Sequence, residues 1–223
     1  MWFGSKDGLN KYDGYNFVIY QHNPFDSTTL SGNYITSIFE DSRGLLWIGT
    51  FDRGINVYDR AKDVFYRVNL GIDGLSLRNT FEIKAIDEDG SENLWVATSG
   101  DGLFRVKVDT TDFNFNIKRF VRETGNENSL GSNQVFSVHC DENNLLWLGT
   151  ENGITRFDLK SGKFTNRSIN INKPKIPGTA NPDAVSSIYE SEAGTLWLGM
   201  ISGLVKLNKS DLSFHYFPHR FEV

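Results

Sequence analysis

Short segments in which apolar and polar residues alternate run along the whole chain, separated by turn residues. The segment 33–41 (NYITSIFED) alternates in this way and is rich in β-branched residues. A period of two with β-branched side chains predicts a strand that buries one face. No segment carries the three-to-four-residue apolar period of a helix over sufficient length. The pattern therefore predicts an all-β protein.

Turn residues group the predicted strands in fours. In the first complete unit the predicted strands are 33–41, 45–50, 54–60 and 64–70. The first turn, 41–44 (DSRG), combines an Asp that caps the turn through its side chain with a Gly, which favours a hairpin. The same order of four segments recurs in three later units, and polar connectors rich in Asn, Gly and Pro separate the units.

All five tryptophans mark the second predicted strand of a unit. They are separated by 45, 48, 52 and 50 residues and are Trp2, Trp47, Trp95, Trp147 and Trp197. A period near 50 residues built from four strands is typical of a β-propeller blade. We predict a β-propeller of four-stranded antiparallel blades, with four complete repeats and one repeat that lacks its first strand. A small residue lies two positions after four of the tryptophans, so we expect the rings to pack between neighbouring sheets.

The repeats define the expected domain organisation. We expect one propeller domain over residues 1–223, with repeats near 1–30, 31–76, 77–128, 129–178 and 179–223. Because the first repeat starts at its tryptophan, the sequence is expected to be a fragment of a longer protein. Three arrangements stay open: an arc of five blades from a larger ring, a five-bladed ring, or a ring completed by a second chain. Exposed blade faces would favour self-association.

Composition argues against several classes of protein. The chain has 28 acidic and 23 basic residues, a net charge of −5, and no long basic run, so we expect no nucleic-acid partner. No apolar run approaches the length of about 18 residues that a membrane span needs, so no membrane contact is expected within this chain. The only cysteine is Cys140, which excludes an intramolecular disulfide and a multi-cysteine metal site. No cofactor is expected.

The histidines do not form a catalytic or metal-binding pattern. His139 and Cys140 are neighbours on a predicted strand, so their side chains point to opposite faces. His215 and His219 are four residues apart, which is the spacing of a zinc-binding pair on a helix. Pro218 and the predicted strand argue against a helix here, so such a pair is not expected. We therefore predict no catalytic residue and no enzyme activity for this chain.

One acidic segment, 87–92 (DEDGSE), has part of the composition of a calcium loop. An EF-hand needs a Glu at its twelfth position, where this chain has Thr98. The segment also occupies the hairpin position of the repeat, which favours a turn. No metal site is predicted.

Recognition of a ligand is expected at the loops between the second and third strands, because these loops vary between units. In a propeller these loops lie on the same face as the connectors between blades. The candidate ligand-binding residues at the loop tips are Lys6, Phe51, Arg53, Asp101, Glu151 and Asn152. Their aromatic and polar side chains are suited to stack against and hydrogen-bond a sugar or an anionic saccharide.

The segment 33–59 reads N-x-I-x-S-I-x-E-D-x-x-G-x-L-W-I-G-T-x-x-x-G-I-x-x-Y-D and resembles the two-component regulator propeller repeat. In that family the repeats form seven-bladed propellers in the extracytoplasmic sensor region of hybrid regulators, chiefly of gut Bacteroidetes. The parent proteins continue into an immunoglobulin-like domain, a membrane helix and a histidine kinase. The resemblance implies a periplasmic location and sensing of glycans or their breakdown products for control of polysaccharide-utilisation genes. It identifies no shared ligand-binding residue.

Three function classes stay open at this point. The leading hypothesis is a non-enzymatic sensor with an oligosaccharide ligand. The second is a protein-interaction or dimerisation propeller, whose partner is another copy or the rest of the parent propeller. The third, a propeller lyase or glycosidase, ranks last because no acidic or histidine residues break the repeat in a converging pattern.

Overall fold

The computed structural model describes residues 1–71, 82–169, 181–192 and 194–219. These residues form β-strands, turns and loops, and no α-helix is found among them. The described part of the chain accordingly holds no helix that is long and apolar enough to cross a membrane. The predicted repeat boundaries at 76–77 and 178–179 lie outside the described residues.

The strands form five antiparallel sheets. The first sheet contains β1 (Trp2–Ser5), β2 (Gly8–Tyr12) and β3 (Phe17–Tyr20). The second contains β4 (Ile35–Glu40), β5 (Leu46–Thr50), β6 (Ile55–Asp59) and β7 (Val64–Val68). The third contains β8 (Ile83–Glu88), β9 (Leu94–Thr98), β10 (Leu103–Asp109) and β11 (Asn114–Phe120). The fourth contains β12 (Val135–Cys140), β13 (Leu145–Thr150), β14 (Gly153–Asp158) and β15 (Lys163–Arg167). The fifth contains β16 (Val185–Glu192), β17 (Thr195–Met200), β18 (Gly203–Asn208) and β19 (Phe214–Pro218).

Within every sheet the strands follow one another in chain order and pair only with their sequence neighbours. The predicted fold class is therefore confirmed: four sheets have four strands, and the first sheet has three. The strand missing from the first sheet is the one that precedes Trp2.

The sheets fall into two compact units, Met1–Arg119 and Phe120–Val223. In the first unit, β4 packs against β1, and β8 packs against β4 and β5. In the second unit, β16 packs against β12 and β13. Neighbouring sheets of one unit thus meet through the first strand of the later sheet, which buries the apolar faces that the alternating pattern predicts.

Three tryptophan rings lie at these sheet contacts, those of Trp2, Trp47 and Trp147. Trp47, Trp95 and Trp147 are at most 2% exposed. Trp2 and Trp197, in the first and last sheets, are half-buried. The three buried rings are the largest fully buried side chains, so they dominate the apolar area that the sheets remove from water.

Each buried tryptophan is tied to the hairpin turn before its strand. The indole N–H donates to an Asp Oδ2 six residues earlier, in the pairs Trp47 to Asp41 (3.0 Å), Trp95 to Asp89 (2.8 Å) and Trp147 to Asp141 (3.0 Å). The other carboxylate oxygen accepts backbone N–H groups of the same turn. The sequence pattern predicted the Asp of the turn but not its bond to the indole.

Glycines let the next sheet approach the tryptophan strand. A Cβ at Gly49 would lie 2.5 Å from Cγ2 of Ile83 on the next sheet. A Cβ at Gly149 would lie 2.5 Å from the carbonyl oxygen of Val185, again on the next sheet. These positions need glycine because a side chain there would push two sheets apart.

Candidate functional site

The loop after the second strand of a sheet lies beside the connector that leads into that sheet. The backbone N–H groups of the loop donate to carbonyl groups just before the first strand, in the pairs Phe51 to Tyr34 (2.9 Å), Ser99 to Glu82 (3.0 Å) and Glu151 to Gln134 (3.1 Å). Loop tips and connectors therefore share one end of each sheet, as the sequence analysis expected.

Two of the predicted loop-tip residues in the first unit, Lys6 and Phe51, each lie against the ring of Tyr34. The rings of Tyr34 and Phe51 stack at 5.0 Å with an interplanar angle of 17°. The ammonium of Lys6 lies 5.4 Å from the centroid of the Tyr34 ring. Tyr34 is 38% exposed and Phe51 45% exposed, so the pair offers a small aromatic surface beside a cation. The sequence analysis did not predict Tyr34 as a site residue. The residues at the same position of the other repeats are not aromatic, so Tyr34 differs from them.

The other two predicted residues of the first unit are held by neighbours. Arg53 lies on the same loop as Phe51, and its Nε is 3.6 Å from Oδ2 of Asp52. Asp101 accepts at Oδ1 from Nη2 of Arg119 at 2.7 Å, and the Nε of this arginine donates to the Asp101 carbonyl at 2.8 Å. Arg119 therefore fixes the Asp101 loop to the outer strand β11, which leaves the Asp101 carboxylate less available than the Lys6 ammonium.

The predicted residues of the second unit lie at a cavity. The cavity has a volume of about 670 Å³, within the range of about 300–1,000 Å³ that is usual for ligand sites. Asn152 lines it, and the amide of this residue also donates to the carbonyl of Gly131 at 3.2 Å. Glu151 lies beside it and accepts at its carbonyl from the amide of Asn181 at 2.9 Å.

The cavity wall is mostly polar. One side is the segment 122–131 of the connector before β12, and the other side is the outer strand β15 with the loop tip. Lining side chains with charged or amide groups are Arg122, Glu123, Asn126, Glu127, Asn152, Asn166, Arg167, Asn181 and Asp183. The sequence analysis missed most of these residues because the connector and the outer strand were treated as scaffold.

The connector before β12 repeats the structure of the connector before β4. In both, the first N–H donates to an Asn Oδ1 eleven residues later at 2.7 Å, from His22 to Asn33 and from Arg122 to Asn133. A hydroxyl then closes the turn at 2.8 Å, from Thr29 to the carbonyl of Asp26 and from Ser129 to the carbonyl of Asn126. Side-chain oxygens that accept backbone N–H groups explain why Asn, Asp, Ser and Thr are frequent here. The cavity is thus built on an ordered loop.

A buried charge network joins the two sheets of the second unit. The ammonium of Lys209 lies 2.6 Å from Oδ2 of Asp141 and 2.6 Å from Oε1 of Glu190. Nε2 of His139 lies 2.9 Å from Oε2 of Glu190. His139 and Glu190 lie on β12 and β16, Asp141 lies in the hairpin turn after β12, and Lys209 directly follows β18. Each carboxylate of the network thus has a charged or hydrogen-bonding partner, as a network that stabilises the fold requires.

The pKa values of this network follow from burial opposed by pairing. Burial by itself would raise the pKa of Asp141, but bonds from Lys209 and Trp147 outweigh it and lower that pKa. Burial likewise opposes ionisation of Glu190, and His139 and Lys209 lower its pKa. Burial would lower the pKa of Lys209, but its two carboxylate partners raise it.

No group of three or more His, Cys, Asp or Glu side chains in the described residues is arranged to hold a metal ion. In the acidic segment 87–92, Asp89 is occupied by N–H groups of its own turn and by Trp95. Cys140 is half-buried, and its Sγ lies 3.8 Å from the carbonyl of Asp141.

Two segments of the chain match the sequence model of the family described as "two component regulator propeller", residues 29–52 and 129–152. The two segments occupy the same position in the second and fourth repeats, from the connector to the loop tip. The chain therefore carries two-component regulator propeller repeats, and the resemblance found at residues 33–59 is confirmed.

One stretch of 31 residues is 58% identical to histidine kinase P4 of Formosa agariphila. The stretch is 14% of this chain and 2% of that kinase. The match shows that a much larger protein contains a stretch similar to one repeat of this chain.

Solved structures share the fold over nearly the whole chain. The extracellular domain of the putative one component system BT4673 from B. thetaiotaomicron is similar over 99% of the chain, with a TM-score of 0.75 and 23% identity. The extracellular domain of the putative hybrid two component system BT3049 from the same organism is similar over 96%, with a TM-score of 0.70 and 22% identity. The chain spans 30% and 28% of the lengths of those two chains. At this identity the likeness establishes the propeller fold.

Proposed function

We propose that this chain is a non-enzymatic, ligand-sensing part of the extracytoplasmic region of a two-component regulator. Its ligand is a glycan or an oligosaccharide released from one, and its output is control of genes for polysaccharide utilisation. The parent protein carries the histidine kinase, and this part lies in the periplasm.

One observation carries the proposal. Two-component regulator propeller repeats lie in a chain whose fold is shared, over 96% and 99% of its length, with extracellular domains of putative one-component and hybrid two-component systems. The loop ends of its sheets also offer groups suited to saccharides: the exposed Tyr34 and Phe51 pair beside Lys6, and a polar cavity beside Asn152. Aromatic faces stack on sugar rings, and amides and charged groups bind hydroxyls.

A calorimetric titration of the purified chain tests the proposal. The titrants are neutral oligosaccharides, such as cellobiose and xylobiose, and acidic ones, such as digalacturonate. We expect at least one titrant to bind with a Kd of about 1 mM or tighter. Phe51→Ala and Asn152→Ala then locate the site, since each removes one candidate surface. Absence of binding across the panel at about ten times that concentration would contradict sensing by this chain.

A second candidate function, self-association or docking of a protein partner, is favoured by the outer face of the first sheet. Phe3 is 44% exposed, and Phe17 and Ile19 are each 60% exposed. The strand registers place these three side chains on one face of the sheet, opposite the face that carries the buried Leu9. Contiguous apolar surface of this kind is usually covered by another protein surface.

Light scattering after size-exclusion chromatography tests this second candidate. We expect a dimer or larger species whose mass falls to that of the monomer in Phe17→Ser with Ile19→Ser. Val18→Ser is the matched control, because it removes an exposed apolar side chain of the same strand from the opposite face. If the unchanged chain is a monomer at high concentration, self-association is overturned, and only docking of a different protein remains from this candidate function.

A further inference from the structure

The same kind of sheet contact occurs in both units. Trp47 of the second sheet packs in one apolar cluster with Val96 of the third sheet. Trp147 of the fourth sheet packs in the same way with Leu198 of the fifth sheet. Val96 and Leu198 each follow a tryptophan on their own strand and therefore point to the opposite face. The face that carries a tryptophan is thus covered by the face of the next sheet that does not.

The tryptophan face of the fifth sheet is exposed. Leu204 pairs with Gly199 and with Phe217, which places these residues on the same face as Trp197. Leu204 is 40% exposed and Phe217 41%, and Trp197 is half-buried. The rings of Trp197 and Phe217 lie 5.7 Å apart. We call this surface of Trp197, Leu204 and Phe217 the Trp197 face.

The equivalent positions of the fourth sheet are buried by the fifth sheet. Ile154 pairs with Arg167 in the fourth sheet as Leu204 pairs with Phe217 in the fifth. Ile154 is 2% exposed because it belongs to the cluster formed with the fifth sheet. The guanidinium of Arg167 lies 5.9 Å from the ring centroid of Phe214 on the fifth sheet. A sheet that covered the Trp197 face in this way would bury Leu204 and Phe217.

The first sheet exposes the other half of this contact. Its exposed apolar side chains on the face opposite Trp2 are Phe3, Phe17 and Ile19, which we call the Phe17 face. Phe17 pairs with Tyr12 as Phe214 pairs with Leu207. Phe17 therefore holds in the first sheet the position that Phe214 holds in the fifth. The chain exposes both surfaces of the contact that its other sheets bury.

The charges favour a contact between these two different faces. The ammonium of Lys206 lies 5.8 Å from the ring centroid of Trp197, on the Trp197 face. In β1, β2 and β3, no position on the Phe17 face holds a charged residue. A symmetric contact of two Trp197 faces would bring two Lys206 ammonium groups together, whereas the Phe17 face opposes them with no like charge.

The contact is smaller than the one between two four-stranded sheets. The first sheet has three strands, which correspond to the second, third and fourth strands of the other sheets. It therefore covers β17, β18 and β19 and leaves Tyr189 on β16 uncovered. An interface of this reduced size is typical of reversible association, with a Kd on the order of 10 µM.

We infer that the Trp197 face of one copy of this chain docks on the Phe17 face of a second copy. The two surfaces meet as consecutive sheets of one unit do. This inference rests on the second candidate function, self-association, and names the surface that pairs with the first sheet. Because the two surfaces differ, each copy keeps one of them free after pairing, so association continues beyond the dimer.

Light scattering of variants that lack one surface tests the inference. Leu204→Ser with Phe217→Ser removes the Trp197 face, and Phe17→Ser with Ile19→Ser removes the Phe17 face. At about ten times the Kd, we expect the unchanged chain to exceed the mass of a dimer and each double variant to be a monomer. An equimolar mixture of the two double variants should form a dimer and no larger species, because only one intact pair of surfaces remains.

A control variant and a check of folding accompany this test. Ile201→Ser removes a side chain that is 53% exposed in the turn after β17, outside the Trp197 face, and should associate as the unchanged chain does. Thermal denaturation shows whether each double variant is folded. If one is not, the single changes Phe217→Ser and Phe17→Ser replace it, and each should weaken association about tenfold or more, since each removes a large apolar side chain.

The outcomes separate this inference from self-association and from ligand sensing. Unchanged association of the folded Leu204→Ser and Phe217→Ser variant would overturn the inference and leave self-association through the first sheet. A mixture of the two double variants that stays monomeric would also overturn it, because the remaining pair of surfaces would then not bind. A monomeric unchanged chain would remove both the inference and self-association, and ligand sensing would stand.

Discussion

The ammonium of Lys209 lies 2.6 Å from Oδ2 of Asp141, the same carboxylate oxygen that accepts the indole N–H of Trp147. The side chain of Lys209 is 8% exposed and that of Asp141 is fully buried. The repeated bond between Asp and Trp is thus extended in the second unit by a lysine from the neighbouring sheet. Asp89 makes the bond to Trp95 without an ion-pair partner among the described residues.

Replacing Asp141 tests the value of the added lysine. Asp141→Asn should destabilise the chain by about 3 kcal/mol, because it leaves a buried lysine with one carboxylate instead of two. Asp89→Asn should cost about 1 kcal/mol, the worth of one weakened charge-assisted bond to an indole. Urea denaturation of both variants measures the difference, and equal losses would show that Lys209 contributes nothing.

The same network predicts how stability depends on pH. Folding lowers the pKa of Asp141 and of Glu190 from ordinary values of 3.8 and 4.5. Their stabilisation is therefore present above those values and is lost as the pH falls through the lowered ones. Folding raises the pKa of Lys209 from 10.5, so its contribution is present below that value and is lost as the pH rises through the raised one. Stability should form a plateau between these limits.

Lys209→Met is the variant that tests the plateau. It leaves Asp141 and Glu190 without their shared cation, so the free energy of unfolding should fall most near neutral pH. The loss should shrink in acid, where the carboxylates become protonated in both proteins. A loss that is constant from neutral to acidic pH would mean that Lys209 acts through packing alone. Lys163→Met, on an exposed position of β15, is the control.

The fold could be predicted from the sequence because every repeat shows the same order of strand and turn segments. Trp47 and its four counterparts fix the second strand, and the alternating segment before each complete copy fixes the first. The bond from Trp47 to Asp41 could not be predicted, because a strand pattern does not say which side chain of a turn reaches back under the sheet. The spacing of six residues between Asp and Trp in three copies is the signal that would have indicated it.

The candidate site could be predicted only in part. Phe51 and Asn152 were found because loop tips vary, and the structure places both on exposed loop ends of the sheets. Arg122 and Asn166, which line the cavity beside Asn152, were missed because each is unremarkable within its own repeat. The position of Asn166 stands out only when the second and fourth repeats are aligned, because Asn166 takes the place of Arg67 and the loop tip of the fourth repeat is one residue shorter. A cavity formed by a missing side chain leaves no motif to detect.

The glycines beside the tryptophans predict a graded response to alanine. Gly149→Ala should destabilise by about 2 kcal/mol or more, because its Cβ would lie 2.5 Å from the backbone oxygen of Val185 on the next sheet. Gly199→Ala meets only the hydroxyl of Ser187 at 2.3 Å, so Gly199→Ala combined with Ser187→Ala should recover most of the stability. Thermal denaturation measures both. If Ser137→Ala restored the stability of Gly149→Ala to the same extent, the backbone at Val185 would have to move aside at little cost.

The last prediction concerns two tyrosines that share one carboxylate in the first unit. The hydroxyl of Tyr58 donates to Oδ1 of Asp63 at 2.5 Å, and that of Tyr20 donates to the same oxygen at 3.0 Å. Burial, followed by these bonds to Asp63, raises the pKa of Tyr58, and burial raises the pKa of Tyr20. The bonds from Tyr58 and Tyr20 lower the pKa of Asp63.

Both tyrosines should therefore stay protonated at a pH at which exposed tyrosines have ionised, and phenolate absorbance should reach less than its full amplitude until alkaline unfolding. Asp63→Asn keeps a side-chain oxygen and tolerates the φ of 56° at this position, but it removes the charge that opposes ionisation. The absorbance of this variant should rise at lower pH, and its unfolding free energy near neutral pH should fall by about 1 kcal/mol. Asp63→Ala should cost more than Asp63→Asn, since it also loses the acceptor and strains the left-handed backbone. An unchanged titration curve in Asp63→Asn would show that burial alone holds the two hydroxyl protons.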